Sequence, residues 1–179
     1  MRLLTSFSAS TGGTCTGLGL GPNKINQVVG VIKAYTTRVG EGPFPTELFD
    51  ETGEQLRDTG SEYGATTGRP RRCGWFDAVV GRYAVRVNGV DALAVTKLDV
   101  LDEFPTLNIC TGYMLRGEQI SEIPMDPGEL QHCTPIYEEY PGWQQSTVGL
   151  ERYDDLPERA KDYLNRLAAL LETDISMIS

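Results

Sequence analysis

Strand-like and helical segments alternate along this chain, and that alternation limits its fold more than any single motif does. "GVIKAYTTRV" (30–39) is rich in β-branched residues and reads as a strand. In "CGWFDAVVGRYAVRVNG" (73–89), Phe76, Val79, Val80, Tyr83, Ala84 and Val87 recur at helical spacing, and Asn88-Gly89 supplies the stop. "DALAVTKLDVLD" (91–102) reads as a short buried strand leaving into a polar turn. "LNICTGYML" and "EQISEIP" read as two strands around an Arg116-Gly117 turn. "DDLPERAKDYLNRLAALLE" (154–172) is an amphipathic helix with Pro157 in its first turn, and "DISMIS" (174–179) reads as a last strand. This interleaving predicts an α/β protein with a mostly parallel central sheet and flanking helices. In such a fold, ligands sit beyond the carboxyl ends of the strands. Three further segments complete the expectation. Residues 10–22 form a glycine-rich loop, 23–29 a short helix capped by Asn23, and 40–55 a loop held by Pro43 and Pro45.

Charge narrows the function classes. The chain has 16 Lys and Arg against 25 Asp and Glu, a net charge of −9. Binding to nucleic acid or to an anionic membrane surface needs a basic face, so neither partner is expected. No run of eighteen apolar residues offers a membrane span. The cysteines, Cys15, Cys73, Cys110 and Cys133, include no Cys-x-x-Cys pair, so neither a zinc knuckle nor a redox pair is expected. The single histidine, His132, adjoins Cys133, which is too few ligands for a metal site. Free thiols fit a reducing cytoplasm. The start "MRLLTSFSAS" is rich in Arg and Ser, yet it is too short for a signal segment and runs into glycines rather than an amphipathic helix.

Against this acidic background stands "ATTGRPRR" (65–72), with Arg69, Arg71 and Arg72 in four residues. Arginine offers a planar fork of donors that fits carboxylate or phosphate. Thr66 and Thr67 add hydroxyls, and Gly64 and Gly68 let backbone approach a ligand closely. A small anion and a solvated loop paired to surface carboxylates are the two readings open from these residues alone. A second element is "TKLD" (96–99) at the end of a buried strand. An aspartate there can accept two N–H bonds from the edge of a guanine, while a lysine stem covers the ring plane; a strand that simply ends in charged residues is the other reading open for so short a motif. "GLGLGP" (17–22) lacks the full dinucleotide fingerprint and reads as a tight loop.

Together, "GGTCTGLGLGP", "KAYTTRVGEGPFPTELFDETGE", "EYGATTGRPRRCGWFDAV", "TKLDVLD", "PIYEEYPGW" and "STVGLE" resemble the adenylosuccinate synthetase family in order and spacing. The resemblance covers essentially the whole chain and implies a phosphate-loop-type synthetase fold. It implies purine nucleotide biosynthesis: GTP-dependent ligation of L-aspartate to IMP, giving adenylosuccinate, GDP and phosphate, with Mg²⁺ as cofactor. By the resemblance, Ala65, Thr66, Thr67, Gly68, Arg69, Pro70 and Arg71 form the loop that binds L-aspartate. Arg69 also reaches the IMP ribose, Val39 lies near that ribose, and Thr5 binds the IMP phosphate. Arg71 is shared between L-aspartate and GTP, Lys97, Leu98 and Asp99 read guanine, and Ser179 stands against the base. Arg72 carries no ligand role and is expected to behave as a surface arginine.

The resemblance also implies what these 179 residues do not contain. Family members open on a phosphate loop, "QWGDEGKGK", whose aspartate is the base on IMP, and use a later histidine on the transferring phosphoryl group. "DEGK" does not occur in this sequence, and His132 matches no family motif. The expectation is therefore a C-terminal portion (1–179) of one synthetase domain whose N-terminal half, with the catalytic residues and the Mg²⁺ ligands, lies elsewhere. On that expectation the portion is inactive alone and the full-length enzyme is a cytoplasmic homodimer. The alternative is a non-catalytic binding or regulatory fragment derived from the synthetase.

Overall fold

A computed structural model describes residues 10–179. Its spine is a parallel three-stranded sheet of β1 (Val29–Lys33), β5 (Ala92–Thr96) and β9 (Ile175–Ile178), in the order β1-β5-β9. β1 and β5 run in register from Val29↔Ala92 to Lys33↔Thr96, so both strands end at the same edge. The mixed second sheet is built on β6 (Thr106–Leu115). β6 pairs in parallel with β4 (Phe76–Asp77) and antiparallel with β7 (Glu118–Ile120) and β8 (Thr134–Pro141). A short antiparallel pair, β2 (Thr36–Arg38) with β3 (Arg72–Gly74), completes the strands.

The helix over 154–172 forms as α4 (Glu158–Leu171). It buries Ala160, Tyr163, Leu164, Leu167 and Leu171, one stripe at helical spacing, and Pro157 caps it from just outside. That stripe packs with Leu93 and Val95 of β5 and with Trp75, Phe104, Leu107 and Ile109 in one continuous core. The Tyr163 hydroxyl donates to the Ala34 carbonyl at 2.7 Å, satisfying the one polar atom the helix buries there. α3 (Ala78–Asn88) starts on Asp77, whose Oδ1 accepts from Val79 N and Val80 N at 3.1 Å each, and stops at Gly89 with φ +60°. The β6–β7 hairpin turns through Arg116 (φ +52°) and Gly117 (φ +87°), a turn with both central residues left-handed.

Five segments differ from expectation. The helix expected over 73–89 begins only at Ala78, with Phe76 in β4; Val80, Tyr83, Ala84 and Val87 of its expected apolar face are exposed, and its buried residues are Ala78 and Val79. Residues 10–22 contain α1 (Thr11–Leu18): Ser10 Oγ accepts from Gly13 N at 3.3 Å and Gly19 closes the helix at φ +66°, so caps at both ends offset the glycines inside. The helix expected over 23–29 is only a single turn at Pro22–Lys24, because Val28 already pairs with Asp91 at the mouth of β1. The strand expected over 30–39 splits at Ala34-Tyr35 into β1 and β2, which belong to different sheets. The loop 40–55 runs into α2 (Glu51–Thr59), capped by Asp50, which accepts from Gly53 N at 3.2 Å.

Candidate functional site

The arginine loop hangs from the carboxyl end of α2, and its mouth is closed twice. Arg71 N donates to the Glu62 carbonyl at 2.8 Å, and Arg71 Nη1 donates to the Glu62 carboxylate at 2.7 Å. Inside the loop, Gly64 N donates to the Arg69 carbonyl at 2.9 Å and Gly68, at φ +63°, donates back to the Gly64 carbonyl at 2.8 Å. A Cβ at Gly68 meets nothing, so the glycine serves the backbone angle rather than a close approach. Ala65, Thr66, Thr67, Gly68, Arg69 and Pro70 are all exposed. Thr67 Oγ1 accepts from Arg69 N at 3.3 Å, and no described residue pairs with the Arg69 guanidinium.

Glu62 is fully buried and had no signal in the sequence. Its carboxylate accepts from Lys33 Nζ at 2.6 Å, from the Tyr35 hydroxyl at 2.5 Å and from Arg71. Burial alone pushes the Glu62 carboxyl up; the hydrogen bonds from Lys33, Tyr35 and Arg71 outweigh it and hold the group below its ordinary value. The Tyr35 phenol moves the other way: burial, the hydrogen bond to Glu62 and nearby negative charge push it far above the ordinary tyrosine value.

Arg72 departs from the expectation of a solvated surface arginine. Its Nε donates to Glu47 at 2.8 Å and its Nη2 donates to the second Glu47 oxygen, a two-pronged pair on a carboxylate only 10 % exposed. Nη1 donates to the carbonyls of Gly40 (3.2 Å) and Gly42 (2.8 Å), and the guanidinium lies 5.5 Å from the Phe44 ring centroid. Arg38 braces the same loop through the carbonyls of Glu41 and Pro43. Val39, 74 % exposed, therefore stands on a loop fixed by two arginines. We expect Arg72→Leu, in a full-length enzyme carrying this segment, to lower stability by about 2 kcal/mol, since it removes charge-assisted hydrogen bonds to a largely buried carboxylate. Thermal melting reads this directly, and an unchanged midpoint contradicts the bracing role.

A cleft of ≈ 820 Å³ opens at the carboxyl ends of β5 and β9. Leu98, Asp99 and Ser179 line it together with the segment 147–153, so three of the sequence-predicted residues converge there. Ser179 N donates to the Val95 carbonyl at 2.8 Å, which seats the end of β9 beside the end of β5. Lys97 takes φ +60° and turns the chain out of β5 into a short helical turn at Leu98–Leu101. Leu98 is buried, whereas Asp99 is exposed and its carboxylate bonds to no described residue. Lys97 Nζ donates to the Gly60 carbonyl at 2.6 Å, at the end of α2.

The opposite wall hangs on Asp102, which the sequence did not single out. This buried carboxylate accepts from Trp143 Nε1 at 2.7 Å, Thr147 N at 2.6 Å and Thr147 Oγ1 at 2.9 Å. It ties the segment "STVGLE" to the turn that carries Asp99. Thr5 lies outside the described residues. Among the described residues, no group of three or more His, Cys, Asp or Glu side chains is placed to hold a metal ion. Burial pushes the Cys73 thiol up to about 11 and the Cys110 thiol up to about 12, which leaves both protonated and unsuited to nucleophilic work. No helix of the described residues is long and apolar enough to cross a membrane.

Comparison with known proteins places this geometry in context. The family model described as adenylosuccinate synthetase matches residues 2–179. The adenylosuccinate synthetase of Desulforamulus reducens is 56 % identical over 176 residues, which is 98 % of this chain and 41 % of that protein. That of Crocosphaera subtropica is 58 % identical over 176 residues, 98 % of this chain and 40 % of that protein. The solved structure of fully ligated adenylosuccinate synthetase from Plasmodium falciparum superposes with a TM-score of 0.94 at 39 % identity, covering 99 % of this chain and 43 % of that one. The chain thus spans about two fifths of the length of the relatives it matches.

Proposed function

Because the chain belongs to the adenylosuccinate synthetase family, we propose that it supplies the L-aspartate-binding loop and the guanine-reading element for the GTP-dependent ligation of L-aspartate to IMP. The product is adenylosuccinate, with GDP and phosphate released. One observation supports this reading above the others. Lys97, whose neighbours Leu98 and Asp99 line the cleft, donates to the Gly60 carbonyl, and two residues further on Glu62 holds Arg71. Two elements distant in sequence thus share one turn at the end of α2, as an enzyme that closes on two ligands at once requires.

In this reading the carboxylates of L-aspartate meet Arg69, Arg71, the hydroxyls of Thr66 and Thr67 and the backbone of 65–70. The guanidinium of Arg69, exposed and paired with no described residue, is then open to an incoming anion, and Arg69 also reaches the IMP ribose near Val39. Asp99 accepts the two N–H groups on the edge of guanine, the Lys97 stem covers the ring, and Ser179 stands against the base. Arg71 touches both L-aspartate and GTP. Proton removal from IMP, which makes O6 nucleophilic toward the γ-phosphate, needs a base, and none of the groups assigned here serves as one. Displacement of phosphate at C6 by the aspartate amine then depends on how well the loop orients that amine. The residues of this chain act by positioning and selection. Mg²⁺ belongs to the family reaction as its cofactor. A cytoplasmic, homodimeric enzyme is part of the same proposal, on the strength of the family.

The assay follows from this division of labour. A full-length enzyme carrying this segment is expected to form adenylosuccinate only when IMP, L-aspartate and GTP are all present. The 179-residue chain assayed alone is expected to form none. Product from the isolated chain above background overturns the assignment of these residues to binding alone. A folded full-length enzyme that forms no product overturns the ligase reading itself.

A further inference from the structure

The cluster of Lys33, Tyr35, Glu62 and Arg71 lies outside every role assigned above except that of Arg71. Lys33 is the last residue of β1, Tyr35 precedes β2, and Glu62 follows α2, so three rigid elements meet on one carboxylate. The Glu62 side chain is wholly buried, whereas those of Lys33 and Arg71 are 25 % and 34 % exposed. Lys33 Nζ, also bonded to Thr37 Oγ1 at 2.9 Å, already neutralises the carboxylate with a cation of its own. Arg71 is thus a second positive charge on a single negative one, and the cluster carries a surplus of +1 in a chain of net charge −9. Only one edge of the guanidinium is used: Nη1 meets Glu62, while Nε and Nη2 donate to no described residue. The backbone of Arg71 is held as well, since Arg57 Nε donates to its carbonyl at 3.0 Å.

We propose that Glu62 is a positioning residue for the arginine loop: clamped by Lys33 and Tyr35, its carboxylate fixes one edge of the Arg71 guanidinium and leaves the other edge free for the substrate anion. This rests on the reading of Arg71 as an L-aspartate ligand. An unheld arginine spreads over many rotamers and loses that freedom on binding. Glu62 removes that loss beforehand, and because Lys33 offsets its charge, it does so without cancelling the attraction for an anion. Gly60 fits the same arrangement. A Cβ there would lie 2.2 Å from the Tyr35 hydroxyl, so only glycine lets the tyrosine reach Glu62 across this turn.

The test uses a full-length enzyme carrying this segment. Glu62→Gln keeps the shape but removes the charge that orients Arg71. It is expected to raise the KM for L-aspartate about tenfold, as for loss of a charge-assisted bond, with the KM for IMP within about threefold. Tyr35→Phe loosens the clamp and leaves every charge in place. It is expected to raise the same KM about threefold, with kcat little changed, and it carries the test if Glu62→Gln does not fold. Arg71→Leu is the control that separates the two readings. If Arg71→Leu raises the KM for L-aspartate while folded Glu62→Gln and Tyr35→Phe leave it within twofold, the positioning role is wrong and the aspartate loop stands. If Arg71→Leu is itself silent, both fall. A parallel rise in the KM for IMP and for L-aspartate shows general loss of structure and also overturns the proposal.

Discussion

Arg71→Leu, in a full-length enzyme carrying this segment, is expected to raise the KM for L-aspartate at least about tenfold and the KM for GTP as well, since a charge-assisted hydrogen bond is worth about 1.5–3 kcal/mol. No other residue here is assigned to both ligands, so both constants move with one substitution. Arg69→Leu is expected to raise the KM for L-aspartate by a similar factor and to leave the thermal midpoint unchanged. Its guanidinium is exposed and pairs with no described residue, so nothing in the fold depends on it. Arg72→Leu reverses that pattern. The pair with Glu47 and the bonds to Gly40 and Gly42 are lost, and the cost falls on stability. Circular dichroism on each variant separates lost binding from a collapsed loop. If Arg72→Leu loses L-aspartate while Arg69→Leu is silent, the roles within 65–72 are misplaced along the chain.

The three arginines show what local sequence reveals and what it hides. Their clustering beside Thr66, Thr67 and Gly68 marks an anion loop, because donor geometry and backbone freedom are properties of neighbouring residues. Which arginine faces a ligand and which braces the fold depends on Glu47 and Glu62. Glu47 is far from Arg72 in sequence, and the two meet because the segment at Glu47 bridges antiparallel to Gly74 at the end of β3. Asp102 and Thr147 come together in the same way, across 45 positions. The secondary structure divides along the same line. α4 and the β6–β7 hairpin follow from periodicity and a two-residue turn, and α3 from its Gly89 stop alone, since Val80, Tyr83 and Val87 of the expected apolar repeat are exposed. α2 carries a single large buried apolar side chain, Leu56, and contains Gly53, so it has neither an apolar stripe nor good propensity. Gly53 is required all the same, since a Cβ there would lie 2.4 Å from the Leu48 carbonyl oxygen. β8 is held by its ladder to β6 over Thr134–Pro141, and its two prolines and lack of clean alternation hid it.

The central claim is that the turn after β5 reads guanine and belongs to the same site as the arginine loop. Asp99→Asn tests it most directly. Asparagine accepts one N–H of guanine and opposes its own amide to the 2-amino group, and an unpaired buried donor costs about 1–3 kcal/mol. Xanthine carries a carbonyl at that position, which the asparagine amide can instead satisfy. Loss for one base and gain for the other multiply, so the ratio of kcat/KM for GTP to that for xanthosine triphosphate is expected to fall by roughly a hundredfold. The KM for L-aspartate, measured at saturating nucleotide, is expected to stay within about threefold, because Asp99 makes no bond to the Glu62–Arg71 cluster. A hundredfold swing toward xanthosine triphosphate in a folded enzyme is the predicted result; an unchanged preference between the two nucleotides removes Asp99 from the base site and contradicts the account.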